Sequence, residues 1–416
     1  MSKATPAIVV LSSLFPASVR PLAGVFIKER MRRVAEELPV TVVSPQPWFP
    51  LQSLLRLRWP GYRPTLPVRE FVDGLEVIRP RFLAVPGVLR RLDGFMMALG
   101  SLAVVRSLQR CGRADVIDAH FLYPDGYAAA RLGRWLGLPV TVTLRGTEPG
   151  HAMQPALRSR MRFALLAAKR VFSVSDSLRQ LALELGAPPE RTRVVGNGVD
   201  LREFNPIPRE HARRQLGLPA SARVLVSVGG LVERKGFHRV IECMPVLREQ
   251  IGDLRYLIIG GPSPEGDWTG RLKTLVEELG LQSCVHLLGP LRPAELHVPL
   301  SAADVFALAT RNEGWANVFL EAMACGLPIV TTRVGGNAEV VCRPELGIVV
   351  PFGDRHALCA ALADALNRSW DREAIRRYAA ENTWERRVAT LVAEFRALVT
   401  DCPASVASHR DEGVSA

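Results

Sequence analysis

The run RNEGWANVFLEAMACGLPIV, Arg311 to Val330, carries two carboxylates eight positions apart, Glu313 and Glu321. Three chemistries suit such a pair beside a strand that gives way to a helix: a metal site, an acid–base couple, or acceptors for the hydroxyls of a polyol. Metal binding is the weakest reading, because no His or Asp-x-Asp pair stands nearby to complete a divalent site. An acid–base couple needs one carboxyl protonated, whereas a helix N-terminus favours ionised groups. Ionised carboxylates accept strong hydrogen bonds from sugar hydroxyls while the helix end receives a phosphate. A nucleotide sugar presents both. The plain alternative is a solvated helix residue and a loop charge.

A second stretch, SVGGLVERKGFHRVIE (227–242), reads as strand, glycines, basic pair and amphipathic helix. Gly229, Gly230 and Gly236 permit close backbone approach, and Arg234 and Lys235 can supply countercharge to a diphosphate. The pattern is neither a Walker A loop nor a full GxGxxG. A surface loop with two solvated cations is its alternative.

The elements that must hold these residues follow from hydrophobic patterning. Short apolar runs fall at 7–12, 40–44, 75–80, 115–120, 140–145, 170–175 and 193–197, and again at 223–229, 255–261, 284–289, 304–310 and 328–332. Runs without strict alternation, separated by helical segments, predict parallel strands covered on both faces. Two such sets predict an α/β protein with two doubly wound domains, 1–200 and 201–398, joined by a linker at 197–210 and followed by a disordered tail at 402–416. Ligands of such sheets bind beyond the strands' C-terminal ends. There Glu313 falls in a loop and Glu321 one turn into a helix that Asn317 is expected to cap, with Gly326 and Pro328 closing it near Cys325.

VGGLVERKG followed by EGWANVFLEAMACGLPIVTTRVGG resembles the C-terminal half of the retaining GT-B glycosyltransferases of family 4, whose EX7E motif would be Glu313 to Glu321. SSLFPASVRPLAGVFIKER, DAHFLYPDG, TLRGTE, SVSDSL, NGVDLREF and PFGDRHAL extend the resemblance to about residue 398. The resemblance implies two Rossmann-like domains facing across a cleft, a nucleotide-diphosphate sugar as donor, and no metal or cofactor. It implies that Lys235 binds the donor diphosphate, Glu313 the transferred sugar and Glu321 the ribose, and that amides near Asn317, Val318 and Phe319 meet the phosphates and sugar. Gly24 would let backbone approach the diphosphate or acceptor, and His120 would stand beside the reacting sugar. No protein nucleophile is implied, since the departing phosphate serves as base in front-side attack. One position departs from the pattern: the arginine expected five residues before Lys235 is Gly230, leaving Arg234 or Arg145 as substitutes.

Composition narrows the setting. The chain has 416 residues, too many for one ordinary core, with 48% hydrophobic and 23% charged residues, as in a soluble globular protein. The seven cysteines are scattered and form no CxxC, which predicts reduced thiols in the cytoplasm. The apolar run near the start reads as a buried strand rather than a signal peptide, and Gly94–Val105 is too short to span a bilayer. The net charge of +12 lies entirely in the first half: residues 1–200 carry 28 basic and 15 acidic side chains, and the remainder 25 and 26. Such asymmetry points to an anionic partner. Nucleic acid is disfavoured, because no recognition helix, RNP-like strand or zinc module is present. Segments 51–64, 88–110 and 155–170 mix Arg with Leu, Phe, Met and Trp, which predicts peripheral association with an anionic membrane at the inner face of the plasma membrane, and a lipid-linked or glycan acceptor. A soluble acceptor, a sugar phosphate or a non-catalytic nucleotide-sugar binder are the alternatives.

Overall fold

The computed structural model describes residues 5–21, 23–50, 52–58, 62–85, 90–263 and 265–400. The tail expected to be disordered lies outside these, as do parts of the first two basic segments.

Alternate residues of a strand point to opposite faces, and here both faces are buried. Val9 and Leu11 join one cluster while Ile8 and Val10 join another on the far side of the same sheet. In the second half Val224, Val226 and Val228 face one core and Leu225 the other. The result is two sheets. The first has eight strands, in spatial order Thr192–Val194, Arg170–Ser173, Val140–Leu144, Val116–His120, Ile8–Leu11, Val40–Val43, Leu75–Ile78 and Arg69–Val72. The second has six, in order Val285–Gly289, Leu254–Ile259, Arg223–Val228, Val305–Leu308, Ile329–Thr332 and Gly347–Val350, all parallel. These are the two Rossmann-like sheets of a GT-B architecture.

The first sheet departs from an all-parallel expectation at its edge, where Arg69–Val72 runs antiparallel to Leu75–Ile78. Asp73 and Gly74, at φ 48° and 83°, make the two-residue turn that antiparallel neighbours need. A two-stranded parallel sheet, Gln46–Trp48 with Arg81–Leu83, also escaped the pattern, its strands being only three residues long. The strand Gly347–Val350 was missed for the same kind of reason: its four residues begin on a glycine.

The stretch 197–210 is not a loose linker. Val199 N–H donates to Asn382 O at 3.1 Å, and a Cβ on Gly198 would sit 2.3 Å from Trp384 N. The last helix, Trp384–Thr400, crosses there and packs Leu391, Val392 and Phe395 with Ile8 and Phe172 of the first sheet and Ile27 of the helix Val25–Val34. Arg170 and Arg193 pin it through Glu394 at 2.6 and 2.7 Å.

Of the three basic segments, two bury their apolar side. The helix Asp93–Arg110 packs Met97, Ala98, Val105 and Leu108 into the core, and Pro155–Ala167 packs Leu157, Met161 and Leu165. Each of these two still exposes one leucine, Leu99 at 46% and Leu166 at 56%, whereas Gln52–Arg58 exposes two in its seven residues, Leu54 at 57% and Leu57 at 82%.

Candidate functional site

Each sheet has one point where neighbouring strands connect in opposite directions, and a crevice opens beyond it. In the first sheet it lies between Ile8–Leu11 and Val116–His120, in the second between Arg223–Val228 and Val305–Leu308. The loop after Val140–Leu144, the strand beside the first point, meets the loop beyond the second. A Cβ on Gly314 would lie 2.4 Å from Arg145 O, and one on Gly146 would lie 2.9 Å from Gly314 Cα, so only glycines allow this crossing. Trp315 next to it packs against both cores.

On the second sheet's side, the loop after Val228 folds back on the loop after Leu308. Gly236 turns it at φ 76°, where a Cβ would fall 1.9 Å from Ala309 O. No other residue fits that turn. Lys235 Nζ then reaches Glu313 Oε2 at 2.6 Å. Arg234 lies 3.4 Å from the same oxygen, donates to Asn312 O at 2.7 Å and forms a fork with Glu265 at 2.6 and 2.8 Å. The Glu265 bonds hold its guanidinium above its ordinary range. Gly230 faces Ser263, whose Cβ would lie 3.0 Å from an added Cβ. Gly229 packs against the Lys235 stem and Phe237, its ideal Cβ position lying 3.6 Å from each.

The helix after this loop runs Asn317–Ala324. Asn317 is its first helical residue, not its cap: Ala316 occupies the cap position, and Asn317 Oδ1 instead accepts from Asn197 Nδ2 at 2.8 Å. The amides of Asn317 and Val318 sit in the turn that has no intrahelical carbonyl to reach. Phe319 N–H donates to Ala316 O at 3.0 Å, and its ring is in the core against Phe306. Glu321 overturns the expectation that the helix end keeps both carboxylates ionised. It is the fifth helical residue, beyond the turn over which the dipole acts. Burial, reinforced by Glu203 and opposed by Lys235, pushes its carboxyl up to about 8.

That shift has a measurable sign. The folded value lies above the ordinary 4.5, so the folded state favours the protonated form. This contribution to stability is complete below the unfolded value and is lost as pH rises through the folded one. Glu321→Gln is therefore expected to raise the unfolding midpoint by a few degrees at about pH 8 and leave it nearly unchanged at about pH 5. A midpoint difference independent of pH, in parallel thermal scans, would count against the protonated state.

On the first sheet's side, His120 ends its strand as expected, but its ring has no exposed surface. Arg145 donates to His120 Nδ1 at 2.8 and 3.1 Å, so the ring proton sits on Nε2, 3.4 Å from Asp118 Oδ2. Burial, with Arg145 and Arg30 beside it, lowers the imidazole well below its ordinary value and keeps it neutral. The ring accepts from Arg145 and orients that guanidinium. Arg145 also donates to Asn197 Oδ1 at 3.1 Å and covers the Phe26 ring at 5.1 Å, so it points into the wall rather than across the cleft. Arg30 reaches the same Asn197 oxygen at 3.0 Å. Asn197 thus joins two buried guanidiniums to the helix Asn317–Ala324.

Two further carboxylates were invisible as site residues in the sequence. Glu148, fully buried, accepts N–H bonds from Leu122, Arg145 and Gly146 at 3.2, 3.1 and 2.7 Å, tying together the loops after adjacent strands. Asp125 accepts from the Ser13 amide and hydroxyl, and burial pushes it up to about 7. Their places inside TLRGTE and DAHFLYPDG were the only signal. Phe121, between these ties, holds φ 74°, a conformation that costs roughly 1–3 kcal/mol and persists because Thr143 O and Gly126 N fix its two peptide groups. Gly24, at φ 73°, starts the helix Val25–Val34 where a Cβ would meet Leu14 O at 2.6 Å. Among the described residues no group of three His, Cys, Asp or Glu side chains is placed to hold a metal ion.

Known proteins resemble this chain in sequence and fold. Residues 208–382 match the family model of glycosyl transferases group 1, and residues 40–203 match that of glycosyltransferase family 4. The chain is 34% identical over 306 residues to a D-inositol 3-phosphate glycosyltransferase of Corynebacterium urealyticum, covering 69% of this chain and 72% of that one. It is 28% identical over 400 residues to the putative teichuronic acid biosynthesis glycosyltransferase TuaC of Bacillus subtilis, covering 93% and 94%. Among solved structures, sucrose-phosphate synthase of Thermosynechococcus elongatus superposes with a TM-score of 0.75 at 21% identity, covering 96% of this chain and all of that one. Anabaena HepE in complex with UDP superposes with a TM-score of 0.70 at 18% identity, covering 94% of this chain and all of that one.

Proposed function

Because the chain belongs to the group 1, family 4 glycosyltransferases and has the GT-B fold, we propose that it moves a sugar from a nucleotide-diphosphate sugar to a lipid-linked or glycan acceptor, with retention of anomeric configuration and without a metal. The observation that carries this reading is the Lys235–Glu313 ion pair at 2.6 Å, set beside a helix end and against the Arg145–Gly146 loop of the opposite domain. Binding of the donor diphosphate takes over the Lys235 ammonium and frees Glu313 to accept hydroxyls of the transferred sugar. Glu321 meets the ribose, and the amides of Asn317 and Val318 meet phosphate oxygens. Gly229 and Gly230 leave room for that backbone approach, while Arg234 steadies Glu313 rather than replacing the cation absent at Gly230.

In the reaction, the bond between anomeric carbon and phosphate oxygen breaks and its electron pair leaves with the diphosphate. The acceptor hydroxyl bonds to the same face of the carbon, and its proton goes to the departing phosphate oxygen. Lys235 and the helix end stabilise the charge that develops there, a contribution that grows in a site shielded from water. Relatives named for inositol-phosphate, teichuronic acid and colanic acid glycosyl transfer support a role in cell-surface polysaccharide or glycolipid assembly. No helix among the described residues is long and apolar enough to cross a membrane. We place the enzyme in the cytoplasm, at the inner face of the plasma membrane, with Leu54 and Leu57 beside Arg56 and Arg58 as its contact.

A panel of UDP- and GDP-sugars, read as nucleotide release with and without a lipid extract, tests the reading. Release that increases with the extract, and a product whose anomeric proton coupling matches the donor, are expected. Inversion, or no turnover with any donor, would overturn it.

A further inference from the structure

Beyond the C-terminal ends of Val40–Val43 and Leu75–Ile78, the two-stranded sheet Gln46–Trp48/Arg81–Leu83 walls a cavity of about 450 Å³. Its lining reaches Ser13 and Pro124, flanking the Asp125 tie at the first sheet's crevice. Arg20, Arg56, Arg63, Arg79 and Arg81 line it, against one carboxyl, Asp93. Among the described residues only Arg79 of these five has an ion-pair partner, Glu70 at 2.6 Å. Arg56 donates to neutral oxygens of Tyr62, Arg63 and Thr65, and Arg63 to Ala84 O. One lining donor, Arg79 Nε, belongs to a side chain 2% exposed and has no hydrogen-bond partner among the described residues.

Cations crowded into one concavity repel one another, and an unpaired buried donor is costly. Both costs fall when an oxyanion enters, and guanidinium forks match phosphate oxygens two at a time. We propose that this cavity binds a phosphoryl or diphosphoryl group, carried by the acceptor. That the carrier is the acceptor rests on the glycosyl-transfer reading; the anion chemistry does not. The cavity is separate from the Lys235 and Glu313 site, which lies on the other domain. Leu54 and Leu57 project from the helix that supplies Gln52 and Arg56, so the anion sits beside exposed apolar side chains, as the diphosphate of a lipid carrier would.

The test uses the full chain carrying Lys235→Ala, so that the donor-site cation does not contribute. Calorimetric titration with inorganic pyrophosphate should show binding that weakens about tenfold or more on adding Arg20→Glu and Arg81→Glu. These two exposed side chains carry no ion pair among the described residues, so the unfolding midpoint should hold. Lysine at both positions should retain most of the binding. Two further arms separate the sources: phosphatidylcholine vesicles with and without polyprenyl diphosphate, and soluble glucose 1-phosphate. Charge-sensitive binding in either arm supports the site and names its source. Absence of pyrophosphate binding, binding indifferent to charge reversal, or glucuronate bound where pyrophosphate is not, would overturn it. Because these arms need no donor turnover, a failed donor panel and a failed phosphoryl site give different results.

Discussion

Alanine in place of Lys235 or of Glu313 is expected to lower kcat/KM for transfer by about 10²–10³ while leaving the protein folded. Both side chains sit in a loop crossing at the domain boundary, 15% and 13% exposed, and neither belongs to a core cluster. The ammonium is assigned to the leaving diphosphate and the carboxylate to the sugar, so each removal acts on the transition state rather than on packing. Glu313→Ala leaves Arg234 still forked to Glu265, which spares the loop. The two residues touch, so the double variant should lose less than the product of the single losses. Initial rates at saturating acceptor, with thermal scans beside them, decide the matter. Turnover within a few-fold of wild type in either variant, with an unchanged scan, would remove the pair from catalysis.

The second large effect falls on Asn197. Leucine there keeps the volume but withdraws the oxygen that accepts from Arg30 and Arg145, and the amide that donates to Asn317. Arg30 is 1% exposed and already has two nitrogens without partners, and Arg145 is 8% exposed. Burial lowers both guanidiniums, Arg30 to about 10. Hydrogen bonds to charged groups are worth about 1.5–3 kcal/mol each, so losing two should cost roughly 3–6 kcal/mol and about 3–7 °C in unfolding midpoint. Donor KM should rise as well, because Asn317 at the helix end loses its tether. Asn197→Asp separates the two consequences: it keeps acceptors for both arginines but removes the donor to Asn317 Oδ1. It should hold the midpoint and still raise donor KM. A midpoint drop of under about 2 °C for Asn197→Leu would show that the arginines find other partners.

The two-sheet architecture was legible because it rests on local patterning. Apolar runs of four to six residues separated by amphipathic segments have one economical arrangement, parallel strands covered on both sides. The approximate position of the loops carrying Lys235 and Glu313 followed too, since strand ends and the helix Asn317–Ala324 are set by neighbours in sequence. The antiparallel edge was less visible, although Asp73-Gly74 between apolar runs is a hairpin signal that could have been read.

What the chain could not declare by itself were the environments. Glu313 and Glu321 are the same residue eight positions apart, yet one meets a lysine at 2.6 Å and the other is pushed up to about 8 by burial near Glu203. His120 sits at its strand end as its motif implied, and only the fold turned its ring inward onto Arg145. The Asn197 junction gathers residues 30, 145, 197 and 317. The arginine-lined cavity gathers positions from 13 to 124. Spacing along a chain fixes which side chains share a strand or a helix turn. Protonation, pairing and access depend on which distant loops close over them, and those are set by tertiary packing.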